Sequence, residues 1–163
     1  MRELYEELVQ RIRGETVDLD RLVDRVLTSW SRSQKYTDEK ELYLDAVALN
    51  LHGFYSGLER LFELIAKHVD QGLPNGEAWH RDLLYQMARE VADVRPSVIS
   101  EQTIKSLDEL RRFRHLVRNV YTFNLVPSRI TPLLSNLPKL WSQVKAELLA
   151  FADFLFEATQ STI

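Results

Sequence analysis

Between Leu44 and Ile65 the apolar residues Leu44, Val47, Leu51, Phe54, Leu58, Leu61 and Ile65 recur at alternating intervals of three and four. That spacing keeps one face of a 3.6-residue helix continuously apolar for six turns, so the segment must lie in the seam of a helical bundle. Beside the seam runs a row of small residues, Ala46, Asn50, Gly53 and Gly57. Glycine inside a helix costs about 1 kcal/mol relative to alanine, and such a row is best explained by a second helix packing closely against it. The helix is predicted from about Thr37 to Asp70. With five glycines and five prolines in 163 residues, turn-rich β architecture is disfavoured and long helices with short connections are favoured.

The rest of the chain repeats the pattern. Leu4, Leu8 and Ile12 open an apolar face that Leu19, Leu22, Val23, Val26, Leu27 and Trp30 resume, with Gly14 as a predicted break, giving one kinked helix or two collinear ones. Leu73-Pro74-Asn75-Gly76 is a turn, with Asn75 the predicted cap of a helix over 77–94 that Arg95-Pro96-Ser97 ends. A further helix is predicted from Ser100 to Tyr121. Ser128 is a candidate cap for the last segment, where Pro132 and Pro138 restrict the predicted clean helix to 137–159. The expectation is an all-α, up-and-down bundle of about five helices forming a single domain over residues 1–163.

Composition narrows the chemistry. There is no cysteine, which excludes disulfides, thiolate nucleophiles and cysteine-ligated metals. His52, His68 and His80 show no ligand spacing, the serines lack a nucleophile elbow, and no glycine loop for phosphates is present, so no metal or cofactor is expected. No apolar run approaches the roughly 20 residues of a membrane span, and the opening residues are acidic and amphipathic; a cytoplasmic protein is expected. The formal net charge is −3, yet residues 105–129 carry Lys105, Arg111, Arg112, Arg114, Arg118 and Arg129 against Asp108 and Glu109. A local cationic strip on an acidic body suits a defined anionic ligand.

That strip centres on Arg111-Arg112-Phe113-Arg114-His115-Leu116-Val117-Arg118-Asn119-Val120-Tyr121. On a helix, Arg111, Arg114, Arg118 and Tyr121 share one polar stripe, beside an apolar stripe of Leu107, Leu110, Phe113, Val117 and Val120. The alternative reading of the stripe is a solvated face paired with Asp108 or with acids of a neighbouring helix. The run resembles the signature of the HEPN domain, and most closely its HepT-like branch: an arginine, a polar residue directly after it, a histidine four to six residues on, and often a tyrosine two beyond. Arg114, His115 and Tyr121 fit three of those positions, and Asn119 stands where the histidine falls.

The resemblance implies a homodimer in which two motifs converge on one cleft and cut RNA, such as tRNA or mRNA, without a metal. Arginine offers phosphate a rigid fork, and an imidazole moves the proton of the 2′-hydroxyl or the 5′-oxygen. Arg114 would bind the phosphate, with Arg111 and Arg118 contributing to substrate binding. Asn119 can hydrogen-bond but cannot transfer a proton. His115 lies about 40° from Asn119 in azimuth and about 6 Å away along the helix axis, and is the candidate acid/base. The resemblance further implies a nucleotidyltransferase antitoxin (MNT) as partner, with Tyr121 as the candidate for AMP attachment by it; the other reading of Tyr121 is a half-buried ring with a wet hydroxyl. With Asn119 in the motif, the competing function is a catalytically degenerate HEPN homodimer that binds RNA, a nucleotide or a protein.

Overall fold

The computed structural model describes residues 1–119 and 127–161, and their side chains except those of 115–119 and 127. Among the described residues five helices follow one another: α1 (Arg2–Lys35), α2 (Lys40–His68), α3 (Trp79–Met87), α4 (Glu101–Asn119) and α5 (Pro127–Gln160), with a 3₁₀ turn, Thr37–Glu39, between α1 and α2. The bundle is all-α, as the periodicity predicts. Buried apolar side chains from Leu8 to Leu155 form one cluster, with Phe54, Leu58, Leu61, Phe62 and Ile65 of α2 at its centre. Each such side chain contributes roughly 1.5–3 kcal/mol by leaving water. α1, which with α5 is the longest of these helices, packs against both α2 and α5. Trp141 and Lys145 of α5 donate to Asp20 of α1 at 2.6 and 2.8 Å, tying those two together at the surface. Among the described residues no helix is long and apolar enough to cross a membrane.

The small-residue row does what the sequence predicts. A Cβ placed on Gly57 would lie 2.9 Å from Leu19 Cδ2, and one on Gly53 would lie 3.7 Å from Leu22 Cδ1. Both leucines belong to α1, so the glycines set how closely α1 and α2 approach.

Four details differ from the sequence reading. Gly14 does not interrupt α1, which runs unbroken through it. The glycine is exposed, a Cβ there would meet nothing within 4 Å, and Ile12 and Thr16 on either side are buried; the packing carries the helix across the weak point. Opposite outcomes are therefore expected for two alanine substitutions. Gly14→Ala should stabilise by about 0.5–1 kcal/mol through helix propensity. Gly57→Ala should destabilise by about 1–3 kcal/mol, because Leu19 is itself fully buried and has little room to yield. Thermal melts of the two variants check this, and a higher melting temperature for Gly57→Ala would refute the close-approach role.

The other three concern helix ends. Asn75 caps nothing: α3 begins at Trp79, with Ala78 at its N-cap and no side-chain cap bond. α3 also stops at Met87 instead of reaching Val94. Residues 91–95 fold into a tight turn in which Val91 and Arg95 exchange backbone hydrogen bonds of 3.0 Å, and Asp93 takes the left-handed conformation, φ 63°. Aspartate tolerates that region better than most residues. Ser128 is not a cap either, since α5 opens on Pro127 and continues through Pro132 and Pro138. Proline is well suited to a first helical position. The two internal prolines sit on the exposed side of α5, while Ile130, Leu134, Leu137, Leu140 and Trp141 bury the opposite side.

Candidate functional site

α4 begins with a cap assembled from two helices. The Thr103 amide donates to Ser100 Oγ at 3.4 Å, while the Ser100 amide and the Thr103 hydroxyl donate to Glu147 Oε1 of α5 at 3.3 and 3.2 Å. From that anchor Ile104, Leu107, Leu110 and Phe113 point into the core, and the basic stripe follows alongside.

The arginines do not form one solvated face. Arg111 Nε donates to Asp108 Oδ1 at 2.8 Å, and Arg112 approaches Asp108 Oδ2 at 3.0 Å. Asp108 is buried, so these two cations neutralise an acid of their own helix. Arg114 points elsewhere. It is 9% exposed and donates from Nη1 to Glu59 Oε1 of α2 at 2.8 Å, with its guanidinium carbon 5.6 Å from the centre of the Tyr55 ring. Arg114 follows Leu107 and Leu110 at intervals of three and four, which turns it toward the bundle.

Glu59 is the residue that sequence reasoning missed. It is 6% exposed, and its second oxygen, Oε2, lies 2.8 Å from His80 Nδ1 of α3. One carboxylate thus joins α2, α3 and α4. The His80 ring stacks on Trp79, centroids 3.6 Å apart, and 28% of its side chain remains exposed. A signal for Glu59 was present: Leu51, Tyr55, Phe62 and Ala66 form a second buried stripe of α2, and Glu59 occupies the step between Tyr55 and Phe62. A lone carboxylate on an apolar stripe demands a cationic partner.

Tyr55 lies under this group, 1% exposed. Burial first, and then the Glu59 carboxylate, push its phenol up from the ordinary value of 10. The folded state holds the protonated form, so that contribution to stability is complete below about pH 10 and is lost as the pH climbs above it, at about 1.4 kcal/mol per pH unit. Urea unfolding at pH 10 and pH 11 should show a steeper loss for the wild type than for Tyr55→Phe; equal losses would show that Tyr55 ionises as freely folded as unfolded.

His115, Arg118 and Asn119 lie in the last turns of α4, but their side chains fall outside the described residues, as does Tyr121 altogether. Of the sequence-predicted site residues, Arg111 and Arg114 are therefore placed in full. Among the described residues no cluster of histidines and carboxylates suited to a metal ion occurs.

A family model of HepT-like proteins matches residues 46–155, from α2 through the motif helix and most of α5. This chain belongs to the HepT-like family. α1 precedes the matched span, while Glu59, His80, Arg114 and the whole motif of the HepT-like chain fall inside it. No curated protein and no solved structure matches the chain.

Proposed function

We propose that this HepT-like chain, acting as one domain over residues 1–163, is a metal-independent endoribonuclease of the cytoplasm. It works as a homodimer whose paired motifs line one cleft, as the toxin of a pair whose antitoxin is a nucleotidyltransferase-fold protein. The observation that carries this reading is the placement of Arg114. Its guanidinium is fixed between Glu59 and the Tyr55 ring, and a guanidinium has five N–H donors in a rigid fork. A side chain so held is preorganised for phosphate, because little freedom is left to lose on binding. Arg114 binds the scissile phosphate, Arg111 and Arg118 extend the cationic strip along the substrate, Asn119 hydrogen-bonds the ribose or phosphate, and His115 is the motif's proton-transfer residue. Tyr121 is the candidate for AMP attachment by the antitoxin, which would set a bulky anion against the phosphate site.

The decisive test incubates purified protein with total tRNA and a structured mRNA in EDTA, beside Arg114→Ala and Arg114→Lys. The expected result is cleavage that leaves 2′,3′-cyclic phosphate ends and is lost in both variants; lysine preserves the charge opposite Glu59 but not the fork. Absence of cleavage by folded, dimeric wild-type protein would refute the enzyme. It would favour the second reading, a HEPN homodimer that binds RNA, a nucleotide or a protein without turnover, for which the presence of Asn119 at the motif's histidine position is the supporting observation.

A further inference from the structure

We infer that His80, oriented by Glu59, is a second proton-transfer residue of the site and supplies from α3 an imidazole that the motif, with Asn119 in its sequence, lacks at its histidine position. The inference rests on the ribonuclease reading above. Transfer of phosphorus from the 5′-oxygen to the 2′-oxygen requires two proton movements, one off the attacking hydroxyl and one onto the leaving oxygen, and an amide can perform neither. His80 has what such a group needs. Its Nδ1 lies 2.8 Å from Glu59 Oε2, and a carboxylate accepts from Nδ1–H, which fixes the tautomer with the lone pair on Nε2. The other oxygen of the same carboxylate holds Arg114 at 2.8 Å, so the imidazole and the motif arginine share one carboxylate. Stacking on Trp79 limits rotation of the ring, and its 28% exposure leaves it reachable from solvent.

The step balances without a metal or cofactor. Nε2 of His80 takes the proton of the 2′-hydroxyl as the O2′–P bond forms and the P–O5′ bond breaks, and His115 gives a proton to the departing 5′-oxygen. The products are a 2′,3′-cyclic phosphate and a 5′-hydroxyl, and water restores both imidazoles. His80 touches substrate in this scheme, whereas Glu59 is a positioning residue.

The test uses the full-length protein and total tRNA, with His80→Asn, His80→Ala and Glu59→Gln. Asparagine retains an N–H donor for Glu59 in roughly the position of Nδ1 but cannot move a proton, so His80→Asn should fold with an unchanged melting temperature. The kcat of His80→Asn should fall by about 10² to 10⁴-fold with KM unchanged. Free imidazole should restore cleavage to His80→Ala and not to His80→Asn, where the space is filled. Glu59→Gln should lower kcat and leave KM unchanged. Wild-type cleavage with His80→Asn at the wild-type rate would overturn this inference while leaving the ribonuclease intact. Loss in His80→Ala that imidazole does not rescue, with KM raised, would assign His80 a structural role and overturn it as well. Wild-type protein that cuts no RNA would sink the ribonuclease reading itself, and this inference with it.

Discussion

Arg95→Met should cost about 3–5 kcal/mol of stability, the range for a buried ion pair stripped of one partner. Arg95 is buried completely at its side chain, and Asp70 is 6% exposed. The guanidinium meets both Asp70 oxygens, donating from Nη2 to Oδ2 at 2.8 Å and from Nε to Oδ1. It also donates to the carbonyls of Arg89, Pro96 and Gln86. Methionine matches much of its volume and offers none of these donors, so the carbonyls of Arg89 and Pro96 and the Asp70 carboxylate lose them together; the Gln86 carbonyl keeps the Arg89 amide, and the Gln86 side chain still donates to Asp70. Against a typical total of about 5–15 kcal/mol, that is a large fraction. Urea unfolding of the single variants and of Arg95→Met/Asp70→Leu measures it. The double variant should recover a substantial part of the loss, because the charge left stranded by Arg95→Met is gone. A single variant within 1 kcal/mol of wild type would mean that solvent reaches Asp70 and the pair is not sealed.

Glu59→Ala should be the most damaging change near the motif. It strands the Arg114 guanidinium, on a side chain that is 10% exposed, and takes from His80 the carboxylate that its Nδ1 meets. A loss of about 3–5 kcal/mol is expected for the stranded cation, together with loss of RNA cleavage because Arg114 is no longer held. The pair of outcomes can be separated. In Glu59→Leu/Arg114→Leu the buried charge disappears from both sides, so stability should largely return while cleavage should not. A calorimetric melt beside a tRNA digest reads both quantities, and a double variant as unstable as Glu59→Ala would show that Glu59 contributes through packing alone.

How much of this was legible in the residues follows from which forces decided each feature. The α2 seam and the small-residue row were readable because burial and close approach impose a strict spacing that no other requirement disturbs. Gly14, Pro132 and Pro138 were misread for one common reason: local propensity argued for breaks, and burial of the opposite helix face outweighed it. α3 was overextended because Arg95, a residue that reads as a polar helix end, is pulled into the interior by Asp70, twenty-five positions earlier in the chain. The same kind of long-range charge pairing hid the site. Arg114 and His115 were found by their resemblance to a motif, whereas the partners Glu59 and His80 lie fifty-five and thirty-four positions before Arg114, a separation that no local pattern reports. The polar stripe of α4 looks uniform on a helical projection, yet Asp108 and Glu59 divide it, taking Arg111 one way and Arg114 the other.

α3 has nine residues, well under the roughly 12–15 at which an isolated helix becomes even marginal in water. It persists because Leu83, Leu84 and Met87 are buried in the core and its ends are fastened, the first turn through His80 to Glu59 and the far end through Gln86 and the Arg95 cluster to Asp70. One fastening reaches Glu59 of α2 and the other reaches Asp70, two residues beyond the end of that helix, so the excursion between α2 and α4 resembles a panel held by two latches. Amide hydrogen exchange should report it as one cooperative unit: α3 and the turn at Val91–Arg95 should lose protection together, at a lower free energy than α2, and release of either latch should lower that free energy along the entire panel. If His80 takes part in cleavage, the frequency of that opening sets how often the imidazole is out of place, linking turnover to a fastening at the opposite end of the helix.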